Sequence, residues 1–106
     1  IQGLSEGVAL GKKSNLNMNK VLDAISGGAA QSWQMDNRFK SMVNSEFDFG
    51  FAVDLMIKDL KIALNHSNDL GIKLPSTKSI LQNYKKLSTL GDGQLDTSSL
   101  IKLLEN

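Results

Sequence analysis

The chain has 106 residues, 41% of them hydrophobic and 22% charged, and its 12 basic and 11 acidic side chains give a net charge of +1. This composition is typical of one globular domain, and so small a charge gives no electrostatic basis for binding nucleic acid or a membrane. With no cysteine and one histidine, the chain excludes disulfides and thiol chemistry, and we expect no metal site. No apolar run approaches the length of a membrane span, and a cytoplasmic location is our expectation.

Residues 1 to about 13 predict a first helix that carries a glycine at every fourth position: Gly3, Gly7 and Gly11. Each glycine costs a helix about 1 kcal/mol relative to alanine. The stripe therefore indicates close approach of another helix, with a frayed terminus as the alternative. Because residue 1 is Ile and no capping residue precedes the helix, we expect the sequence to be part of a longer protein that starts within a helix.

Four more helices and a short closing one follow. Asn17 predicts the cap of a second helix that runs through residue 25, and a third begins near residue 29 or 30 and continues to residue 43. The fourth and longest helix covers about residues 52 to 70 and ends at Gly71. Ser76 predicts the cap of a fifth helix through residue 90, and Asp96 that of a sixth. No segment shows the period-2 alternation of a strand, so the sequence predicts an all-α fold of about six helices in a single domain.

The most informative segment is Phe51–Leu60, which we expect to lie at the start of the long helix. Lys58 follows Phe51 by seven residues, or about 700° of rotation, and Asp59 lies about 80° from Phe51. Helical spacing therefore predicts an aromatic ring, a cation and a carboxylate on one side of the helix, which can form the wall of a ligand site. The alternative is an ordinary charged helix with a surface ion pair between Asp54 and Lys58, worth about 0.2–0.5 kcal/mol.

Several segments together resemble one known family. They are Ser26-Gly27-Gly28-Ala29-Ala30-x-Ser32-Trp33, Phe51-Ala52-x-Asp54-Leu55-x-x-Lys58-Asp59-Leu60, the Leu74-Pro75 step into a helix, and the closing stretch Asp96–Leu104. In this order they resemble the C-terminal domain of the 3-hydroxyisobutyrate dehydrogenase (β-hydroxyacid dehydrogenase) family. The resemblance implies an all-α fold like the C-terminal domain of 6-phosphogluconate dehydrogenase, with residues 1–106 as a substrate and dimerisation domain and the N-terminal Rossmann domain absent from the sequence.

The same resemblance implies site residues. Lys58 matches the lysine that reaches the cofactor, NAD or NADP, from the helical domain. Phe51 and Asp59 match positions that close the substrate pocket. Trp33 and Asn37 are further candidates for the pocket or the domain interface, although Trp33 could instead be a core residue. We expect no catalytic residue within this sequence.

The general-acid lysine of the family lies upstream of Ile1, as does the glycine-rich loop that holds the dinucleotide. The chain alone is therefore expected to be inactive and to bind no cofactor tightly. In the parent protein the resemblance implies interconversion of a β-hydroxy acid and its semialdehyde, with the chain's own Rossmann domain as partner. We also expect a homo-oligomer. The alternative function is a non-catalytic helical module for interaction or dimerisation.

Overall fold

The structure, a computed structural model, describes residues 1–105 and confirms the all-α prediction. The helices are α1 (Gln2–Lys13), α2 (Met18–Ile25), α3 (Trp33–Asn44), α4 (Val53–Asp69) and α5 (Pro75–Leu87), followed by a π turn (Ser88–Asp92) and a 3₁₀ helix (Thr97–Leu104). Residues 1–105 contain no strand, and their β-type pairing is one isolated antiparallel bridge between Ala52 and Asp96. They form two compact units: the first consists of Ile1–Phe47 together with residues 98–105, and the second is Asp48–Thr97.

Capping side chains set two of the helix starts. The Asn17 side chain accepts a hydrogen bond from the Lys20 N–H at 3.1 Å, as predicted for α2. The predicted start of α3 near residue 29 or 30 is wrong, because the Ser32 hydroxyl caps the helix and accepts from the Met35 N–H at 3.1 Å. Serine is a strong capping residue because its oxygen accepts from an amide that lacks a partner within the helix.

The boundaries of α5 also differ from the prediction. The helix begins at Pro75, because proline has a helix-compatible φ and no N–H to leave unsatisfied, so Ser76 lies inside it and is not the cap. The α-helix ends at Leu87, and the chain continues as the π turn, in which Gly91 has a φ of +95°. Gly71, by contrast, follows α4 as predicted, with a left-handed φ of +70°.

The first unit packs α1 against α2 and α3. Its buried side chains are Val8, Met35, Phe39, Met42, Phe47, Leu100 and Ile101. The glycine stripe of α1 serves close packing at one position: a Cβ on Gly11 would lie 2.9 Å from the Met18 side chain, whereas nothing lies within 4 Å of a Cβ on Gly3 or Gly7. The helix α1 begins at Gln2.

The second unit packs α4 against α5 through a narrow buried stripe. Val53, Leu81, Tyr84 and Leu87 are buried, and much of the surface of α4 faces outward. The Tyr84 hydroxyl donates to the Thr97 carbonyl at 3.2 Å. Burial, followed by the charge of Asp96, raises the pKa of Tyr84 well above its ordinary value, so the phenol stays protonated.

Candidate functional site

Backbone contacts fix the beginning of α4. The N–H groups of Val53 and Asp54 donate to the carbonyls of Leu95 and Gly93, each at 2.9 Å. The first amides of a helix have no partner within it, and Ala52, at the N-cap, has no side-chain oxygen to offer them. The carbonyls of Gly93 and Leu95 therefore act as the cap of α4 and fix the start of the helix.

Phe51 is held by the next two residues of the same segment. Its N–H donates to Oδ1 of Asp96 at 2.9 Å, and its carbonyl accepts from the Thr97 N–H at 2.9 Å. Ala52 is extended, with a ψ of 139°, so the helix begins only at Val53. The prediction that Phe51 shares the helical rotation of Lys58 and Asp59 is therefore wrong, because hydrogen bonds to Asp96 and Thr97 hold Phe51 outside the helix.

Asp54 is tied to the end of α5. Its carboxylate accepts hydrogen bonds from the Ser88 hydroxyl at 2.6 Å and from the Gln94 side-chain amide at 3.4 Å. Gly93 lies against this carboxylate so closely that a Cβ there would be 2.6 Å from Oδ1 of Asp54. Asp54 thus joins α4 to the π turn and does not form the ion pair with Lys58 that its spacing suggested.

Lys58 instead pairs with its neighbour Asp59. The Lys58 Nζ lies 3.6 Å from Oδ1 of Asp59, and the two side chains are 63% and 51% exposed. An ion pair as exposed as this contributes about 0–1 kcal/mol, so the ammonium can exchange it for another anion at little cost. Leu55 and Ile62 are exposed on either side of this pair along the helix. We refer to Leu55, Lys58, Asp59 and Ile62 as the outer face of α4.

Trp33 and Asn37 lie together in the first unit. The Asn37 side-chain amide donates to the Trp33 carbonyl at 3.0 Å, and the Arg38 guanidinium lies 5.0 Å from the centroid of the Trp33 ring. Trp33 is 59% exposed, so the alternative of a core residue is wrong. The Arg38 cation over the ring orients an indole that packing alone would leave mobile.

The sequence reasoning missed two side chains that shape the start of α4. Asp96 was expected only to cap the last helix, and Asp54 only to pair with Lys58. Asp96 is fully buried although it is a carboxylate, and it contacts a residue 45 positions away in the chain. No local pattern in the sequence signals a contact at that separation.

The outer face of α4 can bind one side of an anionic cofactor. It offers the Lys58 ammonium, but the sequence has no Gly-x-Gly-x-x-Gly loop to hold a pyrophosphate. The residues therefore fit a contact to a dinucleotide that is held elsewhere. Within residues 1–105, no group of His, Cys, Asp and Glu could hold a metal ion, and no helix is long and apolar enough to span a bilayer.

Comparison with known proteins gives consistent matches over nearly the whole chain. A family model described as NAD-binding of NADP-dependent 3-hydroxyisobutyrate dehydrogenase matches residues 1–104. An uncharacterized oxidoreductase of Shewanella frigidimarina is 46% identical over 105 residues, which cover 99% of this chain and 36% of that protein. A probable 3-hydroxyisobutyrate dehydrogenase-like 1, mitochondrial, of Arabidopsis thaliana is 39% identical over 103 residues, covering 97% of this chain and 31% of the relative.

The fold matches as well. The crystal structure of 3-hydroxyisobutyrate dehydrogenase from Salmonella typhimurium superposes with a TM-score of 0.87 at 26% sequence identity, over 96% of this chain and 36% of that one. The chain thus spans about a third of the length of the proteins it matches, between 31% and 36% in these three.

Proposed function

This chain belongs to the NAD-binding 3-hydroxyisobutyrate dehydrogenase family of oxidoreductases, and on that premise we propose that it is the C-terminal helical domain of an NAD(P)-dependent β-hydroxyacid dehydrogenase. The observation that carries the proposal is the match of the family model to residues 1–104. The reaction is the interconversion of a β-hydroxy acid and its semialdehyde. A nicotinamide cofactor held by a Rossmann domain would supply the hydride chemistry when bound, and Lys58 would contact it from this chain.

Lys58 is the proposed cofactor contact. Its side chain extends from a rigid helix, is 63% exposed, and has only a weak ion pair with Asp59 to give up. A bond from an ammonium to a phosphate or carboxylate oxygen is charge-assisted and stronger than a neutral hydrogen bond. When the Rossmann domain closes over this chain, the Lys58 ammonium would contact the anionic cofactor or the acid group of the substrate in place of Asp59.

Phe51 and Asp59 are the proposed walls of the substrate pocket. Phe51 presents an aromatic side chain that is 42% exposed, and such a surface excludes water from the site of hydride transfer. Asp59 lies in α4 beside Lys58, and its carboxylate would orient the general-acid ammonium of the family. Trp33 and Asn37, at the start of α3, are proposed as additional residues of the pocket or the domain interface.

Self-association and a cytoplasmic location complete the proposal. An apolar groove of about 540 Å³ lies in the first unit, and Gly3, Gly7, Val21, Ile25 and Met35 are among its lining residues. Apolar surface of this kind favours cover by another helix, which supports a homo-oligomer. Sedimentation of the chain as a monomer at high concentration would contradict it.

The test uses the full-length dehydrogenase that contains this chain. Lys58→Ala removes a charge-assisted bond worth about 1.5–3 kcal/mol, so the KM for the cofactor should rise roughly 10- to 100-fold. Lys86→Ala is the matched control, because Lys86 is an exposed lysine on α5 outside the outer face of α4. Wild-type cofactor KM and kcat in the Lys58 variant would contradict the proposed role. A full-length protein without dehydrogenase activity on any β-hydroxy acid would favour a non-catalytic interaction module.

A further inference from the structure

The backbone of Phe51 is hydrogen-bonded on both sides of its α-carbon to the dipeptide Asp96-Thr97. Its N–H donates to Oδ1 of Asp96 and its carbonyl accepts from the Thr97 N–H, both at 2.9 Å. Asp96 and Thr97 are buried, whereas the Phe51 side chain is 42% exposed. A buried pair of residues therefore holds the backbone of a residue whose ring faces outward.

The backbone matters here because Phe51 is 42% exposed, so close packing covers only part of its ring. A side chain in a protein core is oriented by close packing, but one that is nearly half exposed is not. The direction in which the Cα–Cβ bond of Phe51 leaves the chain is set by the backbone at Phe51, and the ring then follows from the side-chain rotamer. Of the two hydrogen bonds that hold the Phe51 backbone, the one that the Asp96 carboxylate accepts involves a side chain and can be removed by substitution.

The carboxylate of Asp96 needs hydrogen-bond donors because it is buried. A carboxylate loses much favourable hydration on burial, and Asp96 is 0% exposed. Its charge is felt by Tyr84, whose pKa it helps to raise. Backbone bonds from Val53, Asp54 and Thr97 hold the same two segments together without it. Among the interactions of Asp96, the hydrogen bond from the Phe51 N–H fixes the position of that amide.

We infer that Asp96 is a positioning residue for the substrate pocket, and that its carboxylate acts by fixing the Phe51 backbone so that the ring closes the pocket. The inference rests on the proposed function, because it takes Phe51 to be a wall of that pocket. Asp96 touches neither substrate nor cofactor. It therefore governs the KM for the hydroxy acid, while the KM for the cofactor, which depends on Lys58, stays unchanged.

The experiment is a double-mutant cycle in the full-length dehydrogenase with Phe51→Ala, Asp96→Ala and both together. We expect each single variant to raise the KM for the hydroxy acid roughly 10-fold, as small displacements of positioning groups do. We expect the double variant to match Phe51→Ala, because Asp96 has no effect once the ring is gone. Asp96→Asn keeps an oxygen acceptor for the Phe51 amide, so its KM for the hydroxy acid should stay close to the wild-type value.

Two variants separate positioning from stability. Ser88→Ala breaks the hydrogen bond to Asp54 in the same unit, so it should lower the melting temperature and leave the hydroxy-acid KM unchanged. If Asp96→Ala does not fold, as judged by circular dichroism, Asp96→Ser takes its place, because serine stays polar but is too short to reach the Phe51 amide.

The outcomes distinguish the two claims. A wild-type hydroxy-acid KM in Phe51→Ala contradicts the pocket role given to Phe51 in the proposed function, and the inference about Asp96 falls with it. An effect of Phe51→Ala together with a silent or fully additive Asp96 variant overturns the inference alone. A loss in Asp96→Asn equal to that in Asp96→Ala also overturns it.

Discussion

Substituting Gly93 by alanine should destabilise the protein through one identifiable contact. A Cβ on Gly93 would lie 2.6 Å from Oδ1 and 2.7 Å from Cγ of Asp54, far inside the normal separation of about 3.5 Å for non-bonded heavy atoms. Gly93 has a φ of −60° and a ψ of −24°, which alanine adopts without strain. The cost therefore comes from the contact and not from the backbone conformation.

The size of the effect follows from what the Asp54 carboxylate must give up. Moving it away breaks its 2.6 Å hydrogen bond from Ser88, and the 3.4 Å bond from Gln94 is too long to add much. Because Asp54 is exposed, water replaces part of the loss, leaving about 1 kcal/mol. Overpacking adds about 1–3 kcal/mol, and the reduced entropy of the unfolded chain offsets about 0.4–1 kcal/mol. The expected net loss is about 1–3 kcal/mol.

Urea denaturation followed by circular dichroism measures this loss, and Asp54→Ala provides the control. In the Asp54→Ala background the carboxylate is gone, so Gly93→Ala should cost less than about 0.5 kcal/mol. A coupling energy of at least about 1 kcal/mol between the two positions is therefore expected. An equal cost of Gly93→Ala in both backgrounds would refute the contact as the cause.

Three further variants test the fold. Gly7→Ala should stabilise the chain by about 0.5–1 kcal/mol, because the position is inside α1 and a Cβ there meets nothing within 4 Å; a destabilised variant would show a contact that the structure lacks. Gly71→Ala should cost about 1–2 kcal/mol, because its φ is +70°, and an unchanged urea midpoint would contradict this. Since the pKa of Tyr84 is raised above its ordinary 10.0, the folded state keeps a proton that the unfolded state loses, so stability is intact below that pH and falls above it. Tyr84→Phe should reduce the fall of the free energy of unfolding with pH by about 1.4 kcal/mol per pH unit, as measured by urea titrations. The absorbance of the Tyr84 tyrosinate should stay low until unfolding, and it can be followed because Tyr84 is the only tyrosine in the chain.

Local signals in the sequence predicted much of the fold. The Asn17 cap and the end of α4 at Gly71 both depend on residues within one helical turn of the boundary, and both are confirmed. The starts of α3 and α5 were misplaced for equally local reasons, because a Ser32 cap and a proline at the first helical position outweighed other candidates nearby. Single-residue chemistry at the cap and the first helical position decides such boundaries, so a prediction can miss them by one to three residues.

The geometry of the site could not be predicted in the same way. Periodicity assumes that a segment is helical, and Phe51 is not helical because residues far along the chain bind its backbone. Lys58 and Asp59 were correctly placed on one helix, but spacing alone could not exclude a pair between Asp54 and Lys58. The functional roles themselves came from the family resemblance, since an exposed lysine on a helix has no distinctive physical signature.

The structure separates the residues that hold α4 in place from those with proposed roles in the site. Asp54 and Gly93 make contacts whose loss changes the free energy of unfolding. The pair Lys58–Asp59 is exposed and contributes about 0–1 kcal/mol, so Lys58→Ala should leave the urea midpoint nearly unchanged. A kinetic defect in a Lys58 variant of normal stability then reports on binding and not on folding. Asp96 lies between the two groups, because it is buried and also holds the backbone of Phe51, so a substitution there should change stability and substrate affinity together.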